Sequence, residues 1–435
     1  MTRSRLDVPL CAARVALAIG VTTLFACTEQ PTSPSATSSS TAPSRSVGTA
    51  LEPAIPLASV DWQGAARDVV VLRRLTPIVA ARLYALLGVA QYGAVTAVDH
   101  DSPGAGALTT DIQRGAVAGA STQVLSYLLP GDATTFEQRL TNQGAVGSPD
   151  AMLHFADGVT VGRAIGDAIV GWGRKDGFAN ADGTARIWDP ASLESGPGIW
   201  AMDADATPHF PAGFQYPTIQ PYFLNKQKQF RPGKPPTDLT AAVNTVIAAV
   251  AARTAALADL SRSWNLNVGT MTPVGYWDVQ ATTFIGESGL DERAASHVFA
   301  LVNAAGMDAI LGCWEAKYHY LVPRPWMVRP DAFPWPSMII GRPNHPSYPS
   351  GHSCVSAAAA EVLKSFFPTK AAMLDQQVGE AGQSRINAGI HYPMDVAAGQ
   401  ELGRSVAAWA LKYDRNHGLL AAVGLDDRHE GHVEH

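Results

Sequence analysis

Apolar residues recur along this chain at helical spacing, and the strict alternation of a half-buried strand is rare. Between residues 61 and 98, Val69, Leu72, Leu75, Ile78, Val79, Leu83, Leu86 and Leu87 fall at i, i+3, i+4 intervals, and His100-Asp101-Ser102-Pro103-Gly104 is the stop. The same pattern predicts helices over 109–129, 134–142, 149–172, 238–260, 291–316 and 353–367, and a last one from Asp395 to about Tyr413. A chain patterned in this way, and rich in alanine, is expected to be an all-α, multi-helix bundle. Hydrophobic residues make up 46% of it and charged residues 16%, so a core can form without disulfide or metal staples. With a net charge of −6 and a pI near 6.0 there is no basic field to hold nucleic acid or an anionic membrane surface. Any anion site must therefore be a local concentration of cations.

The ends of the chain suggest processing. Residues 1–27 read as an export signal, with Arg3 and Arg5 at the start, an apolar run from Ala16 to Ala26, and Cys27 at its end. Leu24-Phe25-Ala26-Cys27 resembles a bacterial lipoprotein box in which the cysteine is acylated, although Phe25 is bulkier than the usual residue; simple secretion is the alternative. Residues 28–55 are Ser, Thr and Pro with few large apolar groups, a composition that cannot repay the entropy of ordering and reads as a tether. The remainder, 56–435, is expected to be one all-α domain. Its N-terminal portion, 56–225, ends in an aromatic-rich loop over 177–225, and its catalytic portion, 226–415, carries the chemistry. The expected location is periplasmic, outer-membrane lipid-anchored or extracellular, with membrane contact only through the lipid. Export permits a disulfide between Cys313 and Cys354, and two buried free thiols are equally compatible with the sequence.

Three clusters in the catalytic portion could converge on one tetrahedral oxyanion. Lys317 and Arg324 lie seven apart across Pro323, where a helix should give way to extended chain. One supplies a mobile charge and the other a planar fork for two oxygens. Pro349-Ser350-Gly351-His352 opens a helix whose first N–H groups and dipole make an anion cradle; Ser350 adds a hydroxyl, and His352 can exchange protons there. Arg385 follows Ser384 near a helix end. His391 stands four residues before Asp395, a carboxylate that can fix the ring's tautomer and raise the basicity of its other nitrogen.

The order K-x6-R-P, P-S-G-H, S-R-x5-H-x3-D resembles the signature shared by vanadium-dependent haloperoxidases and the type 2 phosphatidic acid phosphatase superfamily, over residues 314–404. Gly275-Tyr276-Trp277 and the following helix look like the bacterial, secreted, haloperoxidase-related branch. The resemblance implies an all-helical bundle of that type and vanadate as cofactor, with His391 as axial vanadium ligand. It implies that Lys317, Arg324, Ser350, Gly351 and Arg385 hold the other oxygens and that His352 is the acid/base. Hydrogen peroxide and a halide would be the substrates, hypohalous acid the product, and homo-oligomers are frequent among such relatives. Trp314, three before Lys317, is similar to a tryptophan lining the halide site, and His345, five before Ser350, looks like the bromoperoxidases; both lean towards the peroxidase, and the histidine at 345 would favour bromide or iodide over chloride. The alternative carried by the same residues is a periplasmic acid phosphatase, in which His391 is the nucleophile toward a phosphate monoester and no vanadate is needed.

The leader reading is tested by the mass of the N-terminal peptide from protein made in a bacterial host. A mature chain that starts at Cys27 and carries acyl groups is expected; an intact, unmodified Met1 peptide would refute it.

Overall fold

The computed structural model describes residues 57–101, 107–181, 193–203, 210–334 and 338–425. The leader, the tether and Cys27 lie outside them. Thirteen α-helices occur among the described residues, joined by short 3-10 turns, and no β-strand is found there. In chain order they are α1 Ala58–Leu72, α2 Pro77–Asp101, α3 Ala107–Leu128, α4 Ala133–Gly144 and α5 Pro149–Gly173. After the long loop come α6 Thr240–Ala251, α7 Ala255–Ser263, α8 Thr272–Ser288, α9 Glu292–Tyr320 and the single turn α10 Pro325–Val328. The last three are α11 Gly351–Phe366, α12 Ala371–Asn387 and α13 Pro393–His417.

The helix α9 is the axis of the core. Asp291 caps its start by accepting the Ala294 N–H, and every residue from Val298 to Trp314 is buried. A helix apolar on all sides has to be enclosed, and α1, α2, α3, α8, α11 and α13 pack around it. Two helical stretches, Pro77–Asp99 and Glu292–Val328, are long and apolar enough to cross a membrane. Here 94% and 89% of their apolar windows are covered by the rest of the protein, so their apolarity is spent on the core.

Three segments differ from the sequence expectation. The helix expected over 61–98 is two helices, because Pro77 has no N–H to continue α1 and its ring would strike the preceding turn; the chain turns at Arg74, with φ 52°. The helix expected over 238–260 bends by 112° between α6 and α7, and Thr254 starts the second half by accepting the Leu257 N–H. Asp238 stands just outside α6 and accepts from Thr240. The third, α8, has mixed glycine, threonine and aromatic residues that hide its period, although Pro273 in its first turn and Gly289 in left-handed conformation after its end are ordinary helix limits.

The aromatic loop is anchored to α9 by one carboxylate. Asp308, buried within the core, accepts the backbone N–H groups of Tyr222, Phe223 and Leu224 at 2.8, 2.8 and 3.1 Å. Burial raises its pKa to about 6 against the pull of those donors. Replacing Asp308 by alanine strands three buried N–H groups, each costing about 1–3 kcal/mol. The expected outcome of Asp308→Ala is a loss of about 3 kcal/mol or more in urea unfolding; an unchanged midpoint would mean that the loop does not depend on this anchor.

Candidate oxyanion site

The predicted site residues come from α9, the extended chain at Arg324, and the ends of α11, α12 and α13. Lys317 sits in the last turn of α9, and Leu321 then takes a left-handed conformation, φ 49°, that ends the helix. The chain becomes extended at Arg324, as the proline after it requires. Ser350 is the N-cap of α11 and accepts the Ser353 N–H. Arg385 lies in the last turn of α12, and Asp395 in the first turn of α13, where its side chain accepts from Tyr392 N at 3.0 Å.

The segment 345–350 threads between them and takes up most of the cationic donors. Lys317 Nζ donates to the carbonyls of Pro346, Ser347 and Pro349 at 2.9, 2.9 and 2.5 Å, so all three of its N–H bonds are engaged. Arg324 donates to His345 O, Ile390 O, His391 Nε2 and His345 Nδ1 at 2.6–3.1 Å. Both side chains are completely buried; burial pushes Lys317 down to about 8 and Arg324 down to about 10. The expectation that these two reach oxyanion oxygens directly is therefore modified: here they place positive charge at the site while their donors hold the loop. Arg385 differs. Burial lowers it to about 9, its Nη2 donates to Ser261 O at 2.6 Å, and its Nη1 is buried with no partner. An unpartnered guanidinium donor is what a bound oxyanion would satisfy. The N–H groups of Gly351 and His352, in the first turn of α11, likewise lack a backbone acceptor. This donor set fits a vanadate or phosphate group.

His391 is poised for nucleophilic or ligating work. Its Nδ1 lies 2.8 Å from Asp395 Oδ2, and its Nε2 lies 3.1 Å from Arg324 Nη1. A guanidinium can only donate, so Nε2 must carry the lone pair and Nδ1 the proton. Burial, then the charges of Arg324 and Lys317, hold the ring well below its ordinary pKa, and it is neutral at neutral pH. His352 is also held down, to about 3, by burial and then by Arg385; its Nε2 donates to Asn265 O at 3.2 Å.

The remaining two predicted residues stand beside the cradle. Trp314 and His345 have ring centroids 5.1 Å apart, and a Cβ on Gly351 would lie 3.2 Å from the Trp314 ring. Gly351, His352 and His345 are the partly exposed members of the cluster, so the cradle opens on their side. The loop reaches over Trp314: Ala212 O accepts from its Nε1 at 2.9 Å, and Gly213, with φ 76°, leaves no room there for a side chain. The N-terminal portion of the domain thus contributes a wall to a site that the sequence placed wholly in the catalytic portion.

Sequence reasoning missed the residues that orient the others. Ser347 Oγ donates to Asp395 Oδ2 at 2.5 Å, and its carbonyl holds Lys317. Asp395 Oδ2 thereby receives three donors while Oδ1 receives none, and burial raises the group to about 6. Ser261 and Asn265 act through carbonyls, which any residue type supplies. For Ser347 the only signal was its place inside the stretch from His345 to Ser350. Arg385→Ala should weaken binding of phosphate or orthovanadate about 10- to 100-fold by calorimetry, the worth of a hydrogen bond to a charged group. An unchanged affinity would place the anion elsewhere.

Residues 294–418 match the PAP2 superfamily. Over 103 residues the chain is 33% identical to a non-specific acid phosphatase of Salmonella typhi and 32% identical to that of Salmonella typhimurium, 24% of this chain in each case. The matched region spans about two-fifths of the length of those relatives, 41%. A bacterial vanadium-dependent iodoperoxidase superposes with TM-score 0.67 at 22% identity, covering 82% of this chain and 94% of its own. The apo form of a bacterial vanadium-dependent chloroperoxidase superposes with TM-score 0.63 at 15% identity, over 80% of this chain and 95% of its own. Residues 294–418 are thus similar to the PAP2 superfamily, and the all-helical fold of the described residues matches that of bacterial vanadium haloperoxidases.

Proposed function

We propose that this protein is a vanadate-dependent haloperoxidase that uses hydrogen peroxide to oxidise bromide or iodide to hypohalous acid. The observation that carries the reading is the Trp314–His345 pair packed beside Gly351 at the open side of the cradle, in a fold matched over four-fifths of the chain. Vanadate, when bound, supplies a Lewis-acidic centre that activates peroxide. His391 Nε2 would supply the ligating lone pair, fixed on that nitrogen by the Nδ1–H bond to Asp395 and engaged in this structure by Arg324 Nη1, which would have to release it. Lys317, Arg324 and Arg385 offset the charge of the oxyanion, and Gly351 N and His352 N, with the orphan donor of Arg385, receive its oxygens. A bound oxyanion would offset the Arg385 charge that, after burial, holds His352 down, and would let its ring take a proton from incoming peroxide. Trp314 and His345 give a halide an aromatic wall, and the loop from Ala212 to Tyr216 covers Trp314 from solvent.

The second reading, a PAP2-type acid phosphatase, is supported by the 33% identity to an acid phosphatase. There the His391 lone pair would attack the phosphorus of a monoester and His352 would protonate the leaving alcohol. We further propose that the protein is exported and, through Cys27, lipid-anchored.

One preparation, divided, distinguishes the two readings. After vanadate loading, bromide- and iodide-dependent halogenation of a dye by hydrogen peroxide is expected; without vanadate, p-nitrophenyl phosphate should turn over slowly or not at all. Ester hydrolysis inhibited by vanadate, with no halogenation at any loading, would make the phosphatase reading correct. In either case Asp395→Asn should cost about 10- to 100-fold in oxyanion affinity or activity, as loss of a partner to a ligating histidine does.

A further inference from the structure

Left-handed backbone is concentrated beside the acid/base candidate. Among the described residues, four that are not glycine have a φ between 41° and 68°: Arg74, Leu266, Thr272 and Leu321. Leu321 ends the helix that carries Lys317, and the other three meet in one place. Leu266 lies in the segment 264–271 that joins α7 to α8, and Thr272 closes it. Gly269, between them, lies against Arg74, whose Nη1 would be 3.1 Å from a Cβ there. Left-handed backbone crowds the Cβ of an L residue against its own carbonyl, most of all in a branched residue, so it persists only where the surroundings hold it. Here they do. Asn267 O accepts from Thr270 N and Oγ1 at 3.0 and 2.7 Å, Thr272 N donates to Thr270 Oγ1 at 3.1 Å, and Tyr84 OH on α2 donates to Met271 O at 3.1 Å.

We propose that the Asn265–Leu266 peptide is the positioning element for His352, and that Leu266 is held left-handed because that conformation turns the Asn265 carbonyl onto the imidazole. A peptide group is a planar plate, so the Asn265 carbonyl and the Leu266 N–H turn together about the bonds on either side. Half a turn of the plate would take φ of Leu266 from 41° into the relaxed, negative region and point the carbonyl away from the ring. The strain thus maintains one contact: Asn265 O accepts from His352 Nε2 at 3.2 Å. A carbonyl only accepts, so Nε2 carries the ring proton and Nδ1 keeps the lone pair that acid/base work needs. The Trp264 carbonyl faces the same ring. One helical turn earlier, Ser261 O accepts from Arg385 Nη2 at 2.6 Å, so the end of α7 holds two residues of the site through main chain alone.

A connection with no other task would relax at position 266, or carry glycine there as it does at 269. The segment is also tied to the cradle helix. The Trp264 ring lies 4.6 Å from that of Tyr276 on α8, and the neighbouring Trp277 Nε1 donates at 3.1 Å to Ser356 Oγ, one turn beyond His352 on α11. The placement of the ring is independent of which oxyanion reaction the site performs; the acid/base role of His352 rests on the reading proposed above.

The test compares Leu266→Ile and Leu266→Gly with the parent chain. Isoleucine keeps the buried apolar volume but is branched at Cβ and resists left-handed backbone; glycine gives up the side chain and accepts that backbone freely. Folding of each is checked by circular dichroism and urea unfolding. In protein carrying 15N-labelled histidine, the ring signal that disappears in His352→Gln reports the tautomer of His352. The parent and Leu266→Gly should show a ring protonated on Nε2, and Leu266→Ile should lose that single tautomer. Turnover, by halogenation or by ester hydrolysis, whichever the parent performs, should stay near the parent's in Leu266→Gly despite its lower stability and fall at least about tenfold in Leu266→Ile. A segment that only supports the fold would give the opposite order. A parent His352 protonated on Nδ1, the parent's tautomer retained in Leu266→Ile, or the tautomer lost in Leu266→Gly would each overturn the proposal. Should the isoleucine variant not fold, the parent and the glycine variant still decide it. A changed tautomer with unchanged turnover in Leu266→Ile would uphold the positioning and overturn the acid/base role of His352 instead.

Discussion

Three cations are buried without solvent contact, two of them, Lys317 and Arg324, acting on one buried carboxylate, and much of the second half of the chain is arranged to tolerate them. Taking Lys317, Arg324 and Arg385 out of water costs several kcal/mol each, and Asp395, itself pushed toward its neutral form, can offset one of them at most. The carbonyls of the 345–350 segment provide partial negative charge where no side chain does. The site still carries an excess of positive charge, and a compact oxyanion with more than one negative charge is the group that compensates it. Phosphate and vanadate share that shape and charge. That likeness is the physical reason the same donor set could serve either ion.

The surroundings decide what else could reach an anion held there. One wall is aromatic, built from Trp314, His345 and Tyr216, and it is held by a loop whose anchor, Asp308, lies two and a half helical turns before Lys317 on α9. Trp409 on α13 adds a bond to Phe223 O, so the loop is tied to α9 and α13, two of the helices that deliver site residues. The scaffold and the cover therefore share the same core.

The chemistry was more legible in the sequence than the geometry. The cationic and imidazole residues stood out because their charges are costly to bury and their spacing places them at helix ends, and the structure gathers them at one place. The breaks at Arg74 and Thr254 were harder to read, because apolar periodicity continues across both and only Pro77 and a capping threonine mark them. Ser347, Ser261, Asn265 and Ala212 were illegible for a different reason. Ser261, Asn265 and Ala212 act through backbone carbonyls, and Ser347 through one hydroxyl placed by tertiary contacts, which no residue pattern announces. For the same reason the spacing of Lys317 and Arg324 points to the anion alone, whereas their donors are shared with the loop.

The contact between α13 and the first turns of α11 sets a length scale. A Cβ on Gly399 would lie 2.6 Å from Ser350 O, and one on Gly403 would meet Ala357 Cβ at 2.9 Å, so the two backbones touch where the site is built. Ser350 N and Asp395 O are joined across this contact at 2.9 Å. The separation between the imidazole that would bind the anion and the cradle that would receive its oxygens is therefore fixed by main chain against main chain. Side-chain rotamers can fluctuate without altering it. An ion held between them would meet a gap set by backbone packing, and widening that gap would require α11 and α13 to separate.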